Sequence, residues 1–508
     1  MNNQSRGILA ACNPQNVFGF FEDICAIPHG SGNEAAVAAY IEDFAKARGL
    51  YCHRDSVHNV FIRLPAAEGC ENVPAVLLQG HTDMVCEKDV DSTHDFLNDG
   101  LDLFVEDGKI GARGTTLGGD NGVAVAMMLA LLDQPPVKHP VIECLFTVSE
   151  ETGLEGAHAF DPVVVGVMAK TMINLDSESE GNVTVGCAGG MRTDITLPAC
   201  PETAEGVLVK ISLSGFSGGH SGVEIHEGHT NAIKAMGRLL SAAWEVADWD
   251  LVSINGGGKD NAIPRDCTAV VLVRDVDDGQ EAAKAFCRSI LGEAEKLRKE
   301  PNIIPADKAF VCGADIIEPF VSAPTLGVEG TLGTVTLLTL ARDGVLAMNA
   351  HVKGMVAYSR NLGIVKTVFG EDGTPAAVKF SFSTRSACES HLDDAERELE
   401  RLAMICTGLG NNATHRARYP GWDYAPVSPV RDLWCETASE MLGQAPLVEA
   451  IHAGLECGIL CAKMPGMDII SVGPDMWDIH TPRERLGIAS TARVYEVLRR
   501  VITRMCEC

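Results

Sequence analysis

Pro74-Ala-Val-Leu-Leu-Gln-Gly-His81-Thr-Asp83 decides the fold. The apolar run is short, is entered through a proline, and opens onto a glycine, a histidine and an aspartate. A run of four to eight apolar residues bounded by turn formers reads as a strand buried on both faces, the kind that builds parallel sheets. Three more segments repeat the pattern: Val141–Val148 runs into Ser149-Glu150-Glu151, Thr171–Leu175 into Asp176, and Asp468–Val472 leads through a Gly-Pro loop to His480. Residues just past such strands occupy the carboxyl edge of an open α/β sheet, where ligands bind. Gly118-Gly-Asp120-Asn-Gly122 places another aspartate at the start of a helical pattern, Val123–Leu132.

Outward from these strands, residues 1–186 alternate helix and strand, with a helix over Asn33–Arg48 and a strand over Asn59–Leu64. This βαβ rhythm predicts an α/β domain with a mostly parallel sheet. From about Gly189 the rhythm changes. Strands are expected at Val207–Leu213, Cys267–Val273, Thr334–Ala341 and Val378–Ser383, and helices at Thr230–Val246, Gln280–Lys299 and Leu392–Thr407, which suggests a separate α+β unit. After Gly408-Leu-Gly410 the chain returns to the first pattern, with a helix over Arg431–Leu442 and the strand that delivers His480. The expected organisation is a discontinuous catalytic domain, 1–186 with 410–508, interrupted by an inserted lid, 187–409. A length of 508 residues fits two domains better than one.

Sixty-nine acidic residues against 41 basic ones give a net charge of −28. That balance argues against nucleic acid and anionic membrane as partners, because counterion release needs a basic face. The 18 cysteines do not read as a disulfide framework. Many lie inside apolar segments (Cys144, Cys287), where a thiol packs as a small hydrophobe. No Cys-x-x-Cys pair suggests structural zinc, and the amino-terminal stretch lacks a signal-peptide core. The longest apolar stretch, Val123–Leu132, is far short of the roughly 20 residues that span a bilayer. A soluble protein of the reducing cytoplasm is expected.

Two histidines and several carboxylates at one sheet edge suit divalent metal. His81, Asp120, Glu151, Asp176 and His480 can bind two ions with Asp120 bridging. Two doubly charged cations outweigh three carboxylates, so the pair acidifies a shared water and supplies hydroxide near neutral pH. Glu150 is then free to act as general base, since neighbouring residues leaving a strand point in different directions. Asp83 can accept the second N–H of His81 and fix its tautomer. Each motif has a bland alternative: His-x-Asp as a surface turn, Glu-Glu as a solvated pair, Gly-Gly-Asp-Asn-Gly as a helix cap. Independent accidents rarely all fall at strand ends.

The chain resembles the cytosolic aminoacyl-histidine (Xaa-His, β-alanyl-histidine) dipeptidases, of the zinc clan that also holds carboxypeptidase G and aminoacylase. The likeness rests on Phe21-Glu-Asp-Ile-Cys-Ala-Ile-Pro-His29, Gln79-Gly-His-Thr-Asp-Met-Val85, Ala112-Arg-Gly-Thr-Thr-Leu-Gly-Gly-Asp-Asn-Gly122, Gly186-Cys-Ala-Gly-Gly190, Gly218-Gly-His-Ser-Gly222, Asn261-Ala-Ile-Pro-Arg265, Tyr419-Pro-Gly-Trp422 and Ile451-His-Ala-Gly-Leu-Glu-Cys-Gly458. It implies His81, Asp120, Glu151, Asp176 and His480 as ligands of two divalent ions, zinc first, with manganese or cobalt as alternatives. It implies Glu150 as base, Asp83 as the residue orienting His81, and His220 as the group stabilising the oxyanion. Asn261 and Arg385 are implied to hold the substrate carboxylate, and His452 and Glu456 to line the pocket. A homodimer through the lid is also implied, with the histidine equivalent to His220 serving a neighbouring chain's centre. Two departures stand out: Thr82 replaces a larger apolar residue, and His480-Thr-Pro-Arg-Glu484 replaces His-Ser-Pro-Asp-Glu.

The expected function is a metallo-dipeptidase that hydrolyses Xaa-His peptides such as β-Ala-His, a small peptide being its partner. A broader di- or tripeptidase, or an N-acyl amino acid hydrolase, is the alternative within the clan. A serine hydrolase is a second class, because Gly215-Phe-Ser-Gly-Gly219 matches Gly-x-Ser-x-Gly, but that motif should lead into a helix and here it does not. A scaffold built on a dead enzyme is a third, and such proteins usually lose a ligand or the base.

Overall fold

The computed structural model describes residues 7–274, 279–407 and 412–507. Two units divide the chain. The first contains residues up to Cys187, Trp422–Ala450 and residues from Leu455 on; the second contains Ala188–Gly421 and Ile451–Gly454.

The first unit is built on an eight-stranded sheet. Its strands are β1 (Tyr51–Arg54), β2 (Val60–Leu64), β3 (Val76–His81), β4 (Ile142–Thr147), β5 (Thr171–Asn174), β6 (Asn182–Cys187), β7 (Leu447–Ile451) and β8 (Asp468–Ser471), in the spatial order β1-β2-β4-β3-β5-β8-β6-β7. The central four, β4, β3, β5 and β8, run parallel. They are the four apolar runs read from the sequence, and β3 and β4 are buried along their whole length. The helix Gly119–Asp133 is apolar all round and accordingly buried, Val123–Leu131 having essentially no exposed surface. It packs with the helix Gln15–Cys25 in the main core. A small four-stranded sheet joins Leu103–Glu106 and Lys109–Ala112 to the pair Met476–Trp477 and Arg485–Gly487, between which lies His480.

The second unit is an antiparallel sheet in the order 311–325, 202–214, 267–274, 249–256, 356–369, 375–386, 189–198 and 413–419. The helices Ala232–Ala243, Gly279–Arg298, Gly327–Leu340 and Glu389–Thr407 complete its core. Thr334–Ala341, expected as a strand, lies in the helix 327–340 apart from its last residue. Its β-branched residues favour a strand, but the helix that contains it packs closely against the helix Glu389–Thr407 at Gly333. A Cβ at Gly333 would come within 2.5 Å of the Cys406 carbonyl oxygen, so the close packing there overrides local preference. The expected boundary at 409/410 lies outside the described residues. The strand Ala413–Tyr419, expected with the catalytic segment, pairs with Gly189–Pro198 of the second unit instead, and the first unit resumes at Trp422. No described helix is long and apolar enough to cross a membrane.

Candidate metal centre

The carboxyl ends of β3, β4 and β5 place His81, Glu150, Glu151 and Asp176 together, and the start of the buried helix adds Asp120. The two oxygens of Asp120 face different groups. Oδ1 lies 3.1 Å from His81 Nε2, which is also 3.4 Å from Asp176 Oδ1. Oδ2 lies 3.2 Å from His480 Nε2, which is 2.8 Å from Glu151 Oε1. His81, Asp120 and Asp176 form one possible ligand set; Asp120, Glu151 and His480 form another. Ligands bonded to zinc at roughly 2.0–2.2 Å in a tetrahedron lie about 3.3–3.6 Å apart, close to these separations. Asp176 Oδ1 is buried and, beyond the 3.4 Å approach of His81, has no hydrogen-bond partner among the described residues, as expected of an atom kept for a cation.

The electrostatics agree. Burial, then Asp176, Glu456 and Glu151, push Glu150 up to about 9. Burial and the neighbouring Asp120 and Glu151 push Asp176 to about 7. His480 is drawn up to about 10 by hydrogen bonds to Asp120 and Glu151. Burial works against a charged His81, yet Asp176, Asp120 and Asp83 raise it well above its ordinary value. Crowded carboxylates that hold protons and imidazoles that stay charged mark a place short of positive charge.

The groups around the cluster are themselves hydrogen-bonded into place. Asp83 Oδ1 lies 3.2 Å from His81 Nδ1 and accepts from Glu150 N at 3.0 Å, while Oδ2 accepts from Glu151 N at 3.3 Å and Ser31 Oγ at 2.8 Å. One carboxylate thus orients the histidine and the Glu-Glu turn together. Two residues not assigned a role from the sequence fix the backbone around Asp120, His81 and Asp176. Glu484 is buried and accepts from the backbone N–H groups of Leu117, Gly118, Gly119 and Asp120 at 2.8–3.4 Å, fixing the loop that carries Asp120. Asn121 Oδ1 accepts from His81 N at 3.2 Å and its amide donates to Leu175 O at 2.9 Å, joining the strand ends of His81 and Asp176. A helix-cap signal and the His480-Thr-Pro-Arg-Glu484 motif pointed near both, but nothing local identified their distant partners.

In the second unit, His220 lies in a two-residue strand paired with Ala262–Ile263, and Ser221 N donates to Asn261 O at 2.9 Å. His220 Nδ1 accepts from Gly222 N and Val223 N at 3.3 and 3.2 Å, which leaves Nε2–H as a donor. Burial and then Arg385 lower its basicity, keeping the ring neutral. Arg385 is buried, not the solvated strand-end residue it can resemble in sequence. It donates to Tyr419 OH at 3.2 Å, and its Nε has no partner among the described residues. A Cβ at Gly222 would lie 2.5 Å from His452 O, 3.0 Å from His220 Cε1 and 3.1 Å from Arg385 Nε, so glycine is required where these groups converge. His452 Nε2 lies 2.7 Å from Ser359 Oγ, and burial followed by Arg385 lowers it to about 3.

Glu456, implied to line the pocket, is wholly buried in the first unit. It accepts from Gln79 Nε2 at 2.6 Å and Thr147 Oγ1 at 2.7 Å, beneath the ends of β3 and β4, because it opens a helix packed under that edge. Ser217 of the Gly-x-Ser-x-Gly match contacts His229 Nδ1 at 2.7 Å, but its hydroxyl donates to Asp307 at 2.6 Å. A two-residue strand and turns follow it instead of a helix, so the segment forms no nucleophile elbow.

Residues 77–504 match Peptidase family M20/M25/M40, and the chain belongs to that family. Among individual proteins it is 35% identical over 496 residues to a cytosol non-specific dipeptidase of Escherichia coli (strain K12), covering 96% of this chain and 97% of that one. The crystal structure of an aminoacylhistidine dipeptidase from Vibrio alginolyticus superposes with a TM-score of 0.89 at 31% identity, over 98% of both chains. A Staphylococcus aureus tripeptidase, at 16% identity and a TM-score of 0.54 over 98% of this chain and 100% of that one, shares the fold.

Proposed function

We propose that the protein is a cytoplasmic, metal-dependent dipeptidase that accepts Xaa-His substrates, with two divalent cations, zinc foremost, held by His81, Asp120, Glu151, Asp176 and His480. The observation that carries this reading is Asp120, whose two oxygens each face a separate ligand set. Cations held there would supply Lewis acidity for a peptide carbonyl and for a water. Glu150 falls in a further group with His81 and Glu151 but in neither set that Asp120 joins, so it is free to take the proton of the attacking water and pass it to the leaving amine. His220 offers Nε2–H to the developing oxyanion. Arg385, a buried guanidinium with an unused N–H, suits the substrate's terminal carboxylate, with Asn261 beside the His220 strand as a second donor. Asp83 holds His81 and the Glu-Glu turn in register. The second unit serves as a lid and as the contact of a homodimer. Support for dipeptides comes from the relatives, an aminoacylhistidine dipeptidase in Vibrio alginolyticus and a non-specific dipeptidase in Escherichia coli.

Glu150→Gln tests the reading. It should keep both metals and lose turnover by at least about 100-fold; near-wild-type kcat removes Glu150 from the reaction. Rates for β-Ala-His, other dipeptides, Gly-Gly-Leu and N-acetyl amino acids on the same preparation set the substrate range.

A further inference from the structure

Ser149 joins β4 to the Glu150-Glu151 pair with φ of +50°, in the left-handed region that a residue with a Cβ adopts only when held there. The holder is Glu34, 5% exposed. Its Oε1 accepts from Ser149 N at 3.0 Å, Ser149 Oγ at 2.9 Å and Gly32 N at 3.0 Å. Glu34 directly precedes the helix Ala35–Ala47, whose Val37, Ala38 and Ile41 are buried in the main core, so the acceptor is mounted on a rigid element. Ser31 of the same loop donates to Asp83, the carboxylate that receives the next two backbone N–H groups. Both residues precede the segment 77–504 matched by the family.

We propose that Glu34 is a positioning residue: it locks Ser149 in its left-handed turn and so aims Glu150 and Glu151 at the centre. Resting on the roles proposed for that pair, the inference adds how their direction is set. Without the acceptor, a buried N–H and hydroxyl of Ser149 lose their partner, and the turn relaxes toward extended backbone. The three bonds converge on a single oxygen, so the position of an acceptor matters and its charge does not.

The test uses the full chain at saturating divalent metal. Glu34→Ala should lower kcat by about 10- to 100-fold with KM within about threefold, and should speed amide exchange at residues 149–151 by at least about tenfold. Glu34→Gln, which keeps a carbonyl oxygen in place, should retain at least about a third of wild-type kcat. Ser149→Gly, free to adopt positive φ, should restore at least about fivefold in the Glu34→Ala background. Ser149→Ala is the milder variant if Glu34→Ala does not fold, with kcat down about threefold to tenfold and faster exchange. Wild-type exchange in Glu34→Ala, or in Ser149→Ala if that variant must stand in, overturns the proposal; so does a Gln variant as impaired as Ala, or no recovery with glycine. Exchange is read without turnover: fast exchange in Glu34→Ala beside an unimpaired Glu150→Gln would reject the base and leave the clamp standing.

Discussion

Asp83→Asn is the perturbation whose size the geometry constrains most closely. The native carboxylate serves His81 Nδ1 and Glu150 N on one oxygen, Glu151 N and Ser31 Oγ on the other. Burial favours the protonated acid, but His81 and the hydrogen bonds from Ser31 and Glu150 hold Asp83 below the usual carboxylate range, so it is ionised at neutral pH. Asparagine keeps one acceptor. With that oxygen toward His81 and Glu150, its NH2 faces the Ser31 hydroxyl, which can turn to accept, and the Glu151 N–H, which cannot. One buried N–H left unsatisfied and one charge removed cost about 1–3 kcal/mol. At about 1.4 kcal/mol per decade this predicts a fall in kcat/KM of about 5- to 140-fold, which brackets the roughly 10- to 100-fold typical when a group behind a metal ligand is altered. Steady-state hydrolysis of a dipeptide across a metal titration measures it, and the metal dissociation constant should rise in step. Values within twofold of wild type on both axes would refute the reasoning.

Three further outcomes are expected. Glu484→Gln removes an acceptor from two of four backbone N–H groups in the Asp120 loop, so it should weaken metal binding by at least about tenfold, read by chelator competition. Gly222→Ala drives a Cβ to 2.5 Å from the His452 carbonyl oxygen and should cut kcat/KM by about tenfold or more with metal content unchanged, read by elemental analysis beside kinetics. Burial opposes ionisation of Glu398, yet Arg342 and the wholly buried Arg360 hold it near 2, below the ordinary 4.5. A depressed carboxylate stabilises the fold above its unfolded value, and that contribution fades as pH falls from about 4.5 toward 2. Because Glu398 is a quarter exposed, the difference from Glu398→Gln should be about 1–2 kcal/mol at pH 7 and should shrink below pH 4.5 in denaturant unfolding curves.

Much of the centre was legible because its chemistry sits at strand ends. The buried parallel strands β3, β4 and β5 need continuous apolar runs, and the residue types that follow each run are conspicuous in the sequence. Asp120 was marked by glycines flanking a helical pattern. The clamps were hidden for the opposite reason. Glu484 acts on backbone N–H groups more than 360 residues away, and Glu34 on Ser149 across 115, so neither has a local signature. Glu456 sits in a recognisable motif, yet its burial beneath Gln79 and Thr147 depends on where its helix packs. The helix 327–340 reads as a strand in part because β-branched residues carry strand preference, whereas its close packing at Gly333 against Cys406 is a contact between distant segments.

The most direct test of the central claim is elemental analysis of the purified chain, paired with activity before and after exhaustive chelation and after readdition of zinc, manganese or cobalt. Two divalent ions per chain, activity lost on stripping and regained on refilling, and neither property in Asp120→Ala is the predicted result. Full turnover of a dipeptide by the stripped chain would contradict it.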